Sequence, residues 1–237
     1  MVNDCNGGAS RVGRMVLWSV GAVGLALALV ASAQPAGAAV IGIANYRDDF
    51  QGTTFPSNWQ YLWNQHGAIG DSANYEPLLW YAAGGRWQTG MGNLPTGPGG
   101  WLMLDAGGGH PGATGSPRRM AIAGYTVTEA GTYGIADGFL TNGDASGGDG
   151  VGLHVHVNNS QRYATGGVNG GTIDFDLFLG ELAVGDVIYL MADPQGTIFN
   201  DSFNWDFTVT LIPEPASAAL LGLGGLLLMR RRSAAGA

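Results

Sequence analysis

The stretch Trp205-Asp206-Phe207-Thr208-Val209-Thr210-Leu211 alternates strictly between apolar and polar side chains. Successive side chains of a β-strand point to opposite faces of a sheet, so this period of two predicts a strand whose apolar face is buried. Trp205, Phe207, Val209 and Leu211 would face the core, and the aspartate and threonines would face solvent. The pattern therefore predicts a half-buried β-strand at the end of the folded body.

Upstream stretches repeat this signal. Residues 172–179 and 151–158 alternate in the same way, whereas 187–191 is apolar throughout, as expected of a strand buried on both sides. Residues 125–135 favour a hairpin around Glu129-Ala130-Gly131, and shorter strands are predicted at 46–50, 58–63 and 100–104. About nine strands separated by Gly, Asn, Asp and Pro turns predict one all-β domain over residues 39–211, a β-sandwich of jelly-roll type.

Composition excludes several classes of protein. The chain has 42 glycines in 237 residues without a Gly-X-Y period, which excludes collagen, and 46% hydrophobic residues, too many for a disordered chain. The ten basic residues are all arginine and face 18 acidic ones, giving a net charge of −8. Nucleic acid is therefore not an expected partner, because binding phosphates needs a concentrated basic surface.

The N-terminus has the layout of a secretory signal peptide. Arg11 and Arg14 precede a run from Met15 to Ala31 without charge, and Ala-x-Ala patterns follow, ending at Ala33 and Ala38. Residues 1–38 are therefore predicted to be removed by signal peptidase; the alternative is an uncleaved anchor. The only cysteine, Cys5, would leave with the peptide, so the mature protein would have no disulfide.

Residues 212–237 form a second terminal signal. Pro213-Glu214-Pro215 cannot lie inside a helix, and the charge-free residues 216–229 precede Arg230-Arg231-Arg232. As a helix those residues would span ~21 Å, short of a ~30 Å hydrocarbon core. The three arginines would hold their end in the cytoplasm, so the body would face outward.

These residues resemble the PEP-CTERM sorting signal of exported bacterial proteins. The resemblance rests on Pro213-Glu214-Pro215, the Leu/Gly-rich run 220–228 and the arginine cluster, and is confined to the tail. It implies recognition by an exosortase, a transient inner-membrane tether through a transmembrane helix, and delivery of the body to the cell surface or matrix, where such proteins accompany exopolysaccharide. An ordinary tail anchor is the alternative. In the body, turns such as Gly148-Asp149-Gly150 and Gly185-Asp186-Val187 are more weakly similar to non-catalytic sandwich modules, including carbohydrate-binding ones.

Eight aromatic residues between positions 59 and 101 are the most distinctive feature of the body. They are Trp59, Tyr61, Trp63, Tyr75, Trp80, Tyr81, Trp87 and Trp101. The first three alternate like one face of a strand, which favours a place in the core. Trp80, Tyr81 and Trp87 flank Ala82-Ala83-Gly84-Gly85, a predicted loop, and are the candidates for an exposed platform that stacks on sugar rings.

Acidic loops suggest a calcium site, since calcium takes oxygen ligands from flexible loops. The candidates are Asp144 and Asp149 in one loop and Asp193 and Asp201 in another, although Asp is also an ordinary turn residue. His154 and His156 would project from one face of a strand and could bind a transition metal if a third ligand joined them. No other cofactor is expected.

Catalytic motifs are missing from the sequence. It contains no Gly-x-Ser-x-Gly and no His-Glu-x-x-His, and Gly107–Gly112 matches a dinucleotide pattern without a helix after it. Glu76 and Glu181 are carboxylates that could serve glycoside hydrolysis. The sequence favours an exported, non-catalytic protein with a structural or adhesive role linked to exopolysaccharide; a carbohydrate-binding module and a glycan-cleaving enzyme are the alternatives.

Overall fold

The computed structural model describes residues 40–52, 58–90, 100–143 and 147–212. They form fourteen strands and two short 3₁₀ turns, Ser72–Asn74 and Ala82–Gly84. The strands are β1 (Ile41–Asn45), β2 (Trp59–Trp63), β3 (Glu76–Pro77), β4 (Leu79–Tyr81), β5 (Arg86–Gln88), β6 (Met103–Asp105), β7 (Gly108–His110), β8 (Ala121–Thr126), β9 (Gly131–Asn142), β10 (Gly152–Val157), β11 (Ser160–Ala164), β12 (Gly171–Leu182), β13 (Val187–Asp193) and β14 (Phe203–Ile212).

Two antiparallel sheets make up the described part of the chain. The large sheet has eight strands in the order β12-β9-β14-β7-β6-β5-β4, with β1 also paired to β14. The small sheet has six strands in the order β11-β10-β13-β8-β2-β3. The main hydrophobic core lies between the sheets, so the predicted all-β sandwich is confirmed.

Eight of the strands form the jelly roll. In the large sheet β1, β14, β9 and β12 are successive neighbours, and in the small sheet β8, β13, β10 and β11 are. Each sheet thus mixes early and late strands, as in the two interlocking Greek keys of this fold. Strands β2 to β7 are an insertion between the first two strands of the jelly roll. They widen the small sheet through β2 and β3 and the large sheet through β4 to β7.

Strand β14 has the two faces that its sequence predicts. Trp205, Phe207 and Val209 are completely buried, whereas the side chains between them lie on the outer face of the large sheet. The inward face of β12 and the continuous burial of β13 are confirmed in the same way. Local pattern therefore identifies both the strands and the sides that they bury.

Tyr46 lies at the centre of the aromatic core. Its ring contacts Trp59, Trp205 and Phe207 at centroid distances of 6.0, 5.3 and 5.4 Å, and its hydroxyl donates to the Asp105 carbonyl at 2.7 Å. Such aromatic pairs contribute about 0.5–1.5 kcal/mol each beyond the area that they bury. With no cysteine in the described residues, this packing stabilises the sandwich without disulfides.

The predicted strand at 46–50 is wrong, because the strand precedes Tyr46. Strand β1 ends at Asn45, and a turn follows in which Asp49 accepts from the Asn45 amide at 3.0 Å and Asn45 accepts from the Asp48 amide at 3.0 Å. Asn and Asp side chains bond the nearby backbone and so favour turns over strands.

The predicted hairpin at residues 125–135 is also wrong. Strand β8 belongs to the small sheet and β9 to the large sheet. The chain between them therefore connects the two sheets and does not form a hairpin within one sheet. Val127, in this crossing, is buried and exchanges backbone hydrogen bonds with Asp186 and Gly185, at 2.8 and 2.9 Å. A long-range contact thus replaces the local pairing that the turn sequence suggested.

A second, smaller apolar cluster covers the outer face of the small sheet. Leu62, Met120, Ile122, Tyr189 and Met191 form it. Ile69 and Tyr75, from the segment before β3, pack over it, and Tyr75 meets Tyr189 edge-on at 5.2 Å. The outward side chains of the small sheet are therefore partly enclosed, including those of β10.

Both predicted terminal signals lie outside the described residues, and they stay predictions. This holds for the signal peptide 1–38 and for the sorting signal with Pro213, Glu214, Pro215, Arg230, Arg231 and Arg232. Between residues 40 and 212, in the ranges described, no helix has the length and hydrophobicity to cross a membrane.

Candidate functional site

Trp87 is not the exposed platform residue that the sequence suggested. It is 5% exposed, its ring stacks on Tyr61 at 5.5 Å, and its indole N–H donates to the Gln51 carbonyl at 2.9 Å. The predicted loop 82–85 is a short 3₁₀ turn, but the aromatic residues on either side of it lie on two paired strands, in which Trp87 lies opposite Trp80. Trp87 therefore belongs to the core, together with Trp59, Tyr61 and Trp63.

Trp80 and Tyr81 are half-buried. Trp80 packs against Phe50 at 6.4 Å and against Trp87 at 5.5 Å, and so serves as an edge of the core. Tyr81 lies beneath Arg86, whose guanidinium carbon is 5.5 Å from the ring centroid. Each ring already has a packing partner, which leaves less aromatic surface for a ligand than the sequence suggested.

An aromatic cleft lies elsewhere, at one end of the large sheet. Its volume is about 370 Å³, and it is lined by Trp101, His110, Ile198, Phe199 and Asn200. Trp101 is 46% exposed and Phe199 is 66% exposed, unusually high fractions for rings of this size. These two residues, not Trp80 and Tyr81, present free aromatic surface beside a concave site.

Strand register explains why these residues meet. Met103, at the start of β6, pairs with His110, at the end of β7. Gly109 in β7 pairs with Phe203, at the start of β14. Trp101, His110 and the loop that contains Phe199 consequently lie at the same end of three neighbouring strands.

The sequence offered only a faint signal for the cleft. Trp101 follows Gly99-Gly100, and Gly100 takes the left-handed conformation, with φ of +63°, that glycine favours. Phe199 lies in the turn before β14, where a large apolar side chain is uncommon. An aromatic residue inside a glycine- or asparagine-rich turn is the local feature that distinguishes both from core residues.

His110 contributes a neutral imidazole to the cleft wall. It is buried, and its Nδ1 donates to the Pro111 carbonyl at 2.5 Å. Burial lowers the pKa of His110 below the ordinary value for histidine, and the carbonyls of Pro111 and Ile198 only partly oppose this. At neutral pH the five lining side chains therefore carry no charge, which suits an uncharged polar ligand.

Asp193 does not act as a free carboxylate, although the sequence suggested it as a calcium ligand. It is completely buried, and its Oδ2 lies 3.0 Å from Arg118 and 3.0 Å from the His154 Nε2. Its Oδ1 accepts from the Gln195 amide at 2.9 Å. Both oxygens are therefore committed to structural contacts.

Asp149 and Asp201 lie on the two loops next to the cleft, 147–151 and 194–202. Asp149 is exposed and accepts from the amides of Gly196 and Thr197 at 2.6 and 3.0 Å. Its slight burial would raise its pKa, but these donors hold the pKa below the ordinary value. Asp201, in contrast, is 0% exposed, and neither oxygen has a hydrogen-bond partner within the described residues.

The electrostatic environment of Asp201 disfavours its ionised form. Burial, followed by the charges of Asp149 and Asp193, raises the pKa of Asp201 to about 7. Asp144, the fourth acidic candidate, lies outside the described residues. In the ranges described, no three His, Cys, Asp or Glu side chains come together as a metal-binding group, so the calcium site stays a prediction.

His154 and His156 do project from the same face of β10, with ring centroids 6.4 Å apart. His154 is held by Asp193, whereas His156 is buried with neither ring nitrogen bonded in the described structure. Burial and the neighbouring His154 lower the pKa of His156. No third side-chain ligand joins them in the described structure, so the transition-metal hypothesis gains no support.

Glu76 and Glu181 lie far from each other in the sandwich. Glu76 is on β3, one edge of the small sheet, where it pairs with His66 at 2.8 Å. Glu181 is on β12 and accepts from the Thr132 hydroxyl. Strand β12 belongs to the large sheet, and its Phe175 stacks on Tyr163 of β11. Strand β11 is the edge of the small sheet opposite to β3, so the two glutamates lie toward opposite sides of the sandwich. The two carboxylates do not converge on one substrate.

Comparisons with known proteins give little beyond this. No protein-family model matches the chain, and no curated protein matches it. Among solved structures the chain is similar to the C-terminal CBM6 of LamC, a marine laminarinase from Zobellia galactanivorans. The identity is 12%, the match covers 38% of this chain and 72% of that chain, and the TM-score is 0.24. A likeness of this extent assigns neither a ligand nor a site.

Proposed function

We propose that this chain is an exported, non-catalytic surface protein whose jelly-roll domain adheres to neutral polysaccharide through the cleft between Trp101 and Phe199. The observation that carries the proposal is the exposure of these two rings beside a cleft without charged side chains. Aromatic rings stack on the apolar faces of sugars, and neutral imidazole and amide groups can bond their hydroxyls. Export and exosortase sorting are proposed from the terminal sequences.

The charge of the body supports a neutral ligand. Without its predicted signals the chain retains five arginines and sixteen acidic residues, a net charge of −11. Such a surface repels polyanions, and the repulsion weakens as salt screens it. An uncharged exopolysaccharide is thus the better fit.

A non-catalytic role is supported by the state of the carboxylates. A glycosidase needs an acid and a base or nucleophile that both reach the sugar. Asp201 has the raised pKa of a general acid, but its oxygens are sealed from solvent, and the oxygens of Asp149 already bind loop amides. With Asp201 sealed, the two carboxylates do not supply both groups to one glycosidic bond.

Affinity electrophoresis of the full-length chain tests the proposal. Gels would contain hydroxyethyl cellulose, galactomannan or laminarin as neutral polysaccharides, and alginate as an acidic one. We expect retardation by at least one neutral polymer and none by alginate. Trp101→Ala and Phe199→Ala should each weaken binding about tenfold or more, the loss expected when a central aromatic contact is removed.

Phe178→Ala is the matched control, because Phe178 is 74% exposed on β12, away from the cleft. It should bind like the unmodified chain. Retardation by no neutral polymer, or an equal loss in Phe178→Ala and Phe199→Ala, would contradict the proposal and favour a purely structural role. Release of reducing sugar during incubation would instead support the enzyme alternative.

A further inference from the structure

The carboxylate of Asp201 has no hydrogen-bond partner among the described residues. Both oxygens are inaccessible to solvent and make no hydrogen bond within the described residues. Removing a carboxylate from water without a compensating bond is among the costliest arrangements in a protein. A buried group of this kind calls for a partner, and a bound cation is one that would satisfy it.

Neighbouring negative charges make the lack of a partner for Asp201 more costly. Asp149 and Asp193 both act on Asp201 electrostatically. The nearby cation Arg118 binds Asp193 instead, and so does the imidazole of His154. The junction of the two loops therefore holds an excess of negative charge that a cation would neutralise.

Oxygen atoms other than those of Asp201 lie on the same two loops. The Cβ position of Gly148, which has φ of +98°, lies 2.1 Å from the Phe199 carbonyl oxygen and 3.7 Å from the Asp201 Oδ1. Each oxygen of Asp149 accepts one amide hydrogen and retains a further lone pair. Calcium takes six to eight such oxygens from carboxylates and main-chain carbonyls, whereas zinc would need the His and Cys ligands that are not clustered in the described region.

We propose that a calcium ion binds where loops 147–151 and 194–202 meet, with Asp201 and Asp149 as carboxylate ligands and main-chain carbonyls completing the sphere. Phe199 is two residues from Asp201, so the ion would also fix one wall of the aromatic cleft. The site is argued independently of polysaccharide binding and can exist without it.

Thermal unfolding of the full-length chain provides the test. The chain would be stripped with EDTA and heated without metal, with excess calcium chloride and with excess magnesium chloride. We expect calcium at about a hundred times its Kd to raise Tm by ~5 °C or more, and magnesium to have much less effect. Terbium luminescence sensitised by tryptophan, and its displacement by calcium, would report binding directly.

Asp201→Asn should abolish the calcium-dependent shift. Without metal it should unfold no lower than the unmodified chain, because the substitution removes a buried unpaired charge while keeping the shape. Asp48→Asn is the control, since Asp48 is exposed in the turn after β1 and its loss changes the net charge equally. It should keep the full response to calcium.

Three outcomes would overturn the site: no calcium-dependent shift in the unmodified chain, an equal shift in Asp201→Asn, or terbium binding that Asp201→Asn and Asp149→Asn leave unchanged. If Asp201→Asn does not fold, Asp149→Asn must still weaken terbium binding. None of these readouts involves a polysaccharide, so failure of the calcium site and failure of the proposed function are distinguishable.

Discussion

Buried polar residues of this protein differ in how well the fold satisfies them. Asp193 is buried but bonded to Arg118, His154 and a main-chain amide, so its charge is compensated. His156, two residues from His154 on β10, is buried with no bond to either ring nitrogen in the described structure. A neutral imidazole tolerates such a site far better than an imidazolium, which would be a buried, uncompensated charge.

His156 should make the fold sensitive to acid. Its pKa is lowered in the folded state, so its contribution to stability is fully present above the unfolded value of about 6.5 and is lost as pH falls below it. We expect the change in the free energy of urea unfolding from pH 7 to pH 5 to be more favourable in His156→Gln than in the unmodified chain, by about 1 kcal/mol. The raised pKa of Asp201 acts in the opposite direction over this range, but equally in both chains, so the difference between them reports His156.

The control is His66→Gln, because the His66 side chain is exposed beside Glu76, at the edge of the small sheet. It should not reduce the acid sensitivity. Equal slopes in the unmodified chain and His156→Gln would show that His156 is not responsible. Besides burial, the neighbouring His154 lowers the pKa of His156, so the measurement should also include His154→Gln.

Strand β7 joins the insertion to the jelly roll and has no room for a side chain at Gly108 or Gly109. The Cβ position of Gly109 lies 2.1 Å from the Met103 carbonyl oxygen on β6, while that of Gly108 lies 2.1 Å from the Phe203 carbonyl oxygen on β14. The glycine run that formally resembled a dinucleotide motif is therefore a strand pressed between two others, and its glycines permit that close approach.

Gly109→Ala should force β6 and β7 apart. We expect a destabilisation of about 3 kcal/mol, the upper end for overpacking, because the obstacle is backbone and cannot rotate away. Trp101 should become more accessible to acrylamide quenching as the cleft opens. Gly115→Ala is the matched control, since nothing lies within 4 Å of its Cβ position. Unfolding of Gly109→Ala at the same urea concentration as Gly115→Ala would contradict this account of β7.

At the scale of strands, the sequence pattern predicts which face of a strand is buried but not which strand pairs with it. The alternation in β14 and β12 gave the buried sides correctly, because burial repeats every two residues. The hairpin at 125–135 failed because a Gly-containing turn looks the same whether the chain reverses within a sheet or crosses between sheets. The cleft could not be predicted for a related reason: Trp101 and Phe199 meet only through the pairing of β6, β7 and β14.

At the scale of the whole molecule, the cleft lies where the insertion meets loops of the jelly roll, and the proposed ion site lies on those same loops. The loops that carry Asp149, Phe199 and Asp201 belong to the jelly roll, whereas Trp101 belongs to the insertion. Widening a jelly roll through its first connection thus adds one wall of the proposed binding site to loops that the fold already brings together. This agrees with function residing in loops positioned by a rigid scaffold.

The terminal sequences predict how this domain is delivered, and intact mass tests the prediction on the native protein. If both signals act, the protein recovered from surface and secreted fractions should begin after Ala33 or Ala38 and end near Pro213. A chain that starts there but retains Arg230, Arg231 and Arg232 would instead be held by an ordinary tail anchor, and exosortase processing would be wrong. Replacing Pro213-Glu214-Pro215 with alanines should leave the N-terminal cleavage unchanged while the tail is retained. That separation matters because a polysaccharide adhesin released from its tether can act within the matrix, whereas a tethered one can only hold the matrix to the cell that made it.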